Sequence, residues 1–114
     1  MIGLYRTPLS LLVIAVLSVM MVVQAESSSP EPVEHVVKIT RFKFVPDSLS
    51  VKAGDTVTWI NADLAPHTAT ANDMSFDTGE LKQNESGSIT FTSDQTISYF
   101  CKYHPMMKAS LMLE

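Results

Sequence analysis

The stretch Thr56-Val57-Thr58-Trp59-Ile60-Asn61, entered through Val51-Lys52-Ala53-Gly54-Asp55, alternates hydroxyl and apolar side chains with a period of two. In an extended chain successive side chains point to opposite faces, so Val57 and Trp59 share a buried face while Thr56 and Thr58 face water. The same period recurs on either side, at Val37/Ile39, Leu49/Val51, Ile89/Phe91, Ile97/Tyr99 and Leu111/Leu113. Turn-forming clusters separate these runs: Pro46-Asp47-Ser48, Lys52-Ala53-Gly54-Asp55, Asp63-Leu64-Ala65-Pro66, Asp77-Thr78-Gly79-Glu80, Glu85-Ser86-Gly87 and Ser93-Asp94-Gln95. No segment sustains a helical period. Six or more short strands about ten residues apart predict a small all-β, antiparallel sandwich. Phe42 and Phe44 stand just before Pro46, whose missing N–H suits a strand end or an edge strand.

Outward from this region, the N-terminus reads differently. Of residues 1–25, 18 are apolar, with Arg6 near the start, an apolar run over Leu9–Val23 broken only by Ser10 and Ser18, and Val23-Gln24-Ala25 as a small-residue cleavage site. That is the pattern of a secretory signal peptide. The run is shorter than the roughly 20 residues needed to span a bilayer, so cleavage is expected rather than stable membrane insertion. No cysteine lies at the cleavage site to carry a lipid. Residues 26–32, Glu-Ser-Ser-Ser-Pro-Glu-Pro, read as a flexible leader, and residues 33–114 as the folded domain. Removing residues 1–25 takes away Arg6 alone, leaving 7 basic against 12 acidic residues and a net charge of −5. Nucleic acid is therefore excluded as a natural partner. A chain of roughly 90 residues buries one modest core and gains from a staple, yet one cysteine excludes an internal disulfide.

The staple is legible near the C-terminus. Cys101-Lys102-Tyr103-His104-Pro105-Met106-Met107 brings a thiolate, an imidazole and a thioether within seven residues, between a strand ending near Cys101 and one starting at Lys108. A fourth donor is available in His67, 34 positions upstream in Ala65-Pro66-His67-Thr68. Two imidazoles, a cysteine thiolate and a weak axial methionine describe a blue-copper electron-transfer site. Met107 is preferred over Met106 as the axial donor, and Met112 is assigned to strand core. His104, beside Pro105 at the end of the domain, is placed at a solvent edge through which an electron leaves, with Tyr103 and Met106 as a docking surface around it. Lys102 and Lys108 flank the loop, either as contacts for an acidic partner or as ordinary solvated side chains. His35 is read as an ordinary surface histidine.

Val51 to Asn61, Ala65-Pro66-His67, Phe76-Asp77-Thr78-Gly79 and Tyr99-Phe100-Cys101 through Met107 resemble the cupredoxins, the type 1 blue copper proteins, and within them amicyanin and its plastocyanin and pseudoazurin relatives. The resemblance covers nearly all of residues 34–114, and the C-x2-H-x2-M spacing is similar to the short ligand loop of amicyanin. It implies a Greek-key β-sandwich, one copper ion cycling between +2 and +1, and His67, Cys101, His104 and Met107 as its ligands. It also implies a soluble periplasmic monomer that docks transiently to a redox donor and an acceptor and is not an enzyme. Family members commonly have glycine near positions 84, 95 and 109, where this chain has Asn84, Gln95 and Ala109. Asn84 tolerates a left-handed turn; Gln95 and Ala109 do not suit one. The family also often joins the two ligand segments by a bond between an Asn after the upstream histidine and a Ser or Thr after the cysteine. Thr68 and Lys102 stand at those positions, which implies that the link is absent or reversed. Thr68, Lys102 and Asn61 are the candidates for supporting the ligands.

Three other functions are weighed. Copper sequestration or delivery would be favoured by methionine-rich repeats, and residues 26–114 carry only Met74, Met106, Met107 and Met112. A thiol enzyme with Cys101 as nucleophile and His104 or His67 as base requires a freely reactive thiol. A zinc site would ask for harder or more numerous anionic donors than a thioether. Multicopper chemistry is excluded, because three histidines cannot build further copper centres.

Overall fold

The computed structural model describes residues 30–92 and 94–114, with Gly3; the expected signal peptide, most of the leader and Ser93 lie outside the described residues. Among the described residues there are eight strands: β1 (Glu34–Thr40), β2 (Lys43–Val45), β3 (Ser48–Val51), β4 (Thr56–Asn61), β5 (Thr70–Ala71), β6 (Ser86–Thr90), β7 (Thr96–Phe100) and β8 (Lys108–Leu113). They form two four-stranded sheets, in the orders β2-β1-β4-β6 and β3-β8-β7-β5. The sandwich is as the alternation predicted, but it is not antiparallel throughout. β1 pairs with β4, and β3 with β8, in parallel. A period of two is the same in either ladder, so the pattern that reveals a strand does not reveal its direction.

The inward rows interlock between the sheets. Val37 and Ile39 of β1, Val57 and Trp59 of β4, Ile97 and Tyr99 of β7, and Leu111 and Leu113 of β8 are all buried. Trp59 meets the Tyr99 ring edge-on at 5.5 Å and stacks on Phe76 at 5.4 Å, and such aromatic pairs add to the gain from burial itself. Burial also pushes the Tyr99 phenol up to about 12. Met112 is not core as expected: the period that buries Leu111 and Leu113 turns it outward, and it is 43% exposed. β2 is an edge strand, as Pro46 suggested, and it buries Phe44 while leaving Phe42 outside the ladder.

One pole of the sandwich is closed by Asp55. Its carboxylate accepts from the backbone N–H groups of Val33 (2.8 Å) and Lys52 (3.0 Å) and pairs with His35 Nε2 at 2.9 Å. The His35 hydrogen bond, then those two N–H donors, hold the Asp55 carboxyl down at about 2. His35 is thus a half-buried partner rather than a free surface histidine. Asn84 has φ 66°, the left-handed turn expected of it, whereas Gln95 and Ala109 show no positive φ and need no glycine. Ala109 simply pairs with Tyr99 in the β7·β8 ladder.

Candidate metal centre

The opposite pole gathers the sulfur and nitrogen donors. Cys101 follows the last residue of β7, and Lys108 begins β8. The loop between them is closed by His104 N–H to Cys101 O (3.3 Å), Met107 N–H to His104 O (2.8 Å) and Cys101 N–H to Met107 O (3.2 Å). Pro105 stands second in the turn His104–Met107, where its fixed φ is pre-set for the bend. The short spacing therefore becomes two tight turns that bring the side chains of Cys101 and His104 together. His67 arrives from the other side, anchored by paired backbone bonds with Leu81 (N to O 3.0 Å, O to N 2.8 Å).

His67 and Cys101 are fully buried and His104 is half-buried. Cys101 Sγ lies 3.7 Å from Nδ1 of each histidine, and the two Nδ1 atoms are 3.1 Å apart. A triangle with those sides has a circumscribed radius of about 2 Å, the length of a first-row metal–imidazole bond and slightly short of a metal–thiolate bond. The three donors thus fit a single transition-metal ion, and their chemistry, two imidazole nitrogens and a thiolate, suits copper. Met107 is buried (5% exposed), whereas Met106 is 91% exposed and turned to water. Among the described residues, this is the one group of three His, Cys, Asp or Glu placed to hold a metal.

The site's surroundings include residues that the sequence did not single out. His67 Nε2 lies 2.8 Å from Asp63 Oδ2, which assigns the proton to Nε2 and leaves the Nδ1 lone pair facing Cys101 and His104. Burial pushes the Asp63 carboxyl up, but the N–H groups of Phe42, His67 and Arg41 outweigh it and hold it below its usual value. Those donors are short: Arg41 N–H to Oδ1 is 2.7 Å and Phe42 N–H to Oδ2 is 2.9 Å. Both Arg41 (φ 52°) and Phe42 (φ 57°) are left-handed, an unfavourable conformation for L-residues that the carboxylate clamp offsets. The turn sets the Phe42 ring edge-on to His67 at 5.2 Å and to His104 at 4.9 Å. A carboxylate four residues before a histidine was the available signal for Asp63; nothing in the local sequence marks Phe42.

The expected supporting residues take distinct roles. Asn61 is fully buried and donates to Ala65 O and Leu81 O, each at 2.8 Å, so it shapes the loop rather than touching a donor. Thr68 N–H points at Cys101 Sγ (3.3 Å). The link between the two ligand segments is present rather than absent: the backbone N–H of Lys102 donates to Thr68 Oγ1 at 2.9 Å, so the residue after the cysteine contributes main chain instead of a side-chain hydroxyl. The Lys102 ammonium is not free for a partner, being paired with Asp77. Burial pushes the Asp77 carboxyl up, and donation from Lys102, Gly79 and Thr70 more than reverses it.

Comparison with known proteins agrees with this geometry. The family model described as copper binding proteins, plastocyanin/azurin family, matches residues 32–114. Amicyanin of Paracoccus denitrificans is 34% identical over 84 residues, which is 69% of this chain and 64% of that protein's length. Plastocyanin of Scenedesmus fuscus is 35% identical over 72 residues, 54% of this chain and 74% of that one. A solved copper(I) form of an amicyanin variant matches with a TM-score of 0.67 at 34% identity, over 71% of this chain and 82% of that chain.

Proposed function

Because the chain belongs to the copper-binding plastocyanin/azurin family, we propose that it is an exported, periplasmic one-electron carrier that holds one copper ion through His67, Cys101, His104 and Met107. The observation that carries the reading is the triangle of two Nδ1 atoms and one Sγ, sized for a single ion and largely shut off from water. The bound copper supplies the one-electron couple between +2 and +1. The chain's own residues keep the site from rearranging between those states. Asp63 fixes the His67 ring and its tautomer, two turns fix Cys101, His104 and Met107 to the ends of β7 and β8, and Thr68 N–H draws charge from the thiolate. Ligands held by rigid elements reorganise little, which favours fast electron exchange.

His104 is the half-exposed donor and so the natural point of electron entry and exit. The exposed side chains of Phe42, Leu64, Tyr103 and Met106 belong to the loops around it and offer an apolar contact for transient redox partners. On this reading the protein acts as an electron carrier rather than an enzyme, in keeping with its family. Loading the protein with Cu(II) and recording its visible spectrum tests the reading. An intense thiolate-to-copper band that bleaches reversibly with reductant is expected. A colourless protein that takes up only Cu(I) would instead favour copper storage or delivery.

A further inference from the structure

Lys102, the residue after Cys101, is held at both of its ends by one closed circuit. Its backbone N–H donates to Thr68 Oγ1 (2.9 Å), Thr68 Oγ1 lies 2.9 Å from Thr70 Oγ1, Thr70 Oγ1 donates to Asp77 Oδ1 (3.1 Å), and Asp77 Oδ2 pairs with the Lys102 ammonium. A hydroxyl has one proton to give. Thr70 gives its proton to Asp77, so Thr68 must give its own to Thr70, and the Thr68 lone pair is left for Lys102 N–H. The carboxylate therefore sets the direction of every bond in the circuit. Bonds aligned in one direction polarise one another, most strongly when the chain ends on a charge. Thr68 and Thr70 are fully buried while the Asp77–Lys102 pair is partly exposed, so the circuit runs from solvent into the wall of the site. Asp77 is itself held, accepting 2.8 Å from the N–H of Gly79, whose φ of 71° favours glycine.

We propose that Asp77 and Thr70 are positioning residues for the metal centre, clamping the peptide after Cys101 to the strand after His67 and so fixing the thiolate against the Thr68 N–H. An exposed ion pair alone would contribute little; here its effect is to orient two buried hydroxyls, of which that of Thr68, next to His67, accepts from the peptide after Cys101. The inference rests on the reading of Cys101 as a copper ligand, and it extends that reading to residues outside the ligand loop.

The test uses copper-loaded protein from the full-length chain, as wild type, Asp77→Asn, Thr70→Val and Thr56→Val. The last removes one hydroxyl of the Thr56–Thr90 pair (2.8 Å), in the other sheet. Asp77→Asn and Thr70→Val are expected to shift the thiolate-to-copper band in the same direction and to weaken Cu(II) binding roughly 10- to 100-fold, with Thr56→Val unchanged. Thr70→Val alters no charge, so agreement between the two variants separates positioning from loss of a nearby negative charge. If Thr70→Val fails to fold, the partly exposed Asp77→Asn site carries the test alone. A wild-type spectrum and affinity in Asp77→Asn, or a lowered thermal midpoint of the copper-free protein with an unmoved band, would overturn the proposal. A wild type lacking the band would overturn the copper reading and this proposal together; a normal wild type with unaltered variants overturns this one only.

Discussion

Asp63 Oδ2 lies 2.8 Å from His67 Nε2, and the same carboxylate grips the backbone N–H groups of Arg41 and Phe42. One side chain thus fixes a donor ring and the turn that covers it. Replacing Asp63 by Ala should free the His67 ring and release two left-handed residues together. Cu(II) affinity is expected to fall about 10- to 100-fold, measured by competition with a chelator. Asp63→Asn, which keeps acceptor capacity through its carbonyl, should lose less. Equal affinity in Asp63→Ala and wild type would show that the bond does not orient the ring.

Phe42 is half-exposed, so its removal should hardly alter folding while opening the site. In Phe42→Ala, extraction of copper by excess chelator is expected to run several-fold faster than in wild type, with urea denaturation of the copper-free protein little changed. An unaltered extraction rate would mean that the ring on His67 and His104 does not limit access.

Met107 and Met106 are adjacent in sequence and opposite in environment. Met107→Ala should destabilise the copper-free fold by about 2–5 kcal/mol through loss of buried volume and should change the visible band of the loaded protein. Met106→Ala, at an exposed position, should stay within about 0.5 kcal/mol of wild type and keep the band. The reverse pattern in the spectra would reassign the axial donor.

The period-two runs made the sandwich legible, because alternation is dictated by burial of one face of each strand. The convergence of His67, Cys101 and His104 was legible for a partly local reason: Cys101 and His104 lie in one seven-residue loop with Met107. Strand direction was not legible, and neither were the true settings of Met112 and His35. Met112 was missed by placing three successive residues on one face, His35 because its partner Asp55 is 20 residues away. Phe42 was not foreseen beside the site for the same physical reason, whereas Asp63, four residues before His67, carried a local signal that was not read. Phe42 reaches His67 and His104 across loops, and Lys102 meets Thr68 across 34 positions, contacts that no local periodicity encodes.

At the far pole, acid should weaken the fold through Asp55. Its carboxyl is held at about 2, against an ordinary value of 3.8. A group with a lowered folded-state value contributes stability that is complete above the unfolded value and is lost as pH falls toward the folded one. The window is therefore from about pH 4 down to about pH 2. Urea midpoints of the copper-free protein should drop more between pH 5 and pH 2.5 in wild type than in Asp55→Asn. Parallel pH profiles would contradict this account of the His35, Val33 and Lys52 contacts.

The most direct test of the central claim is the visible spectrum of Cu(II)-loaded wild type beside that of Cys101→Ser. The account requires an intense sulfur-to-copper band in the wild type, reversibly bleached by reductant and absent from the serine variant. A loaded wild type without that band, or a band that survives in Cys101→Ser, would contradict it.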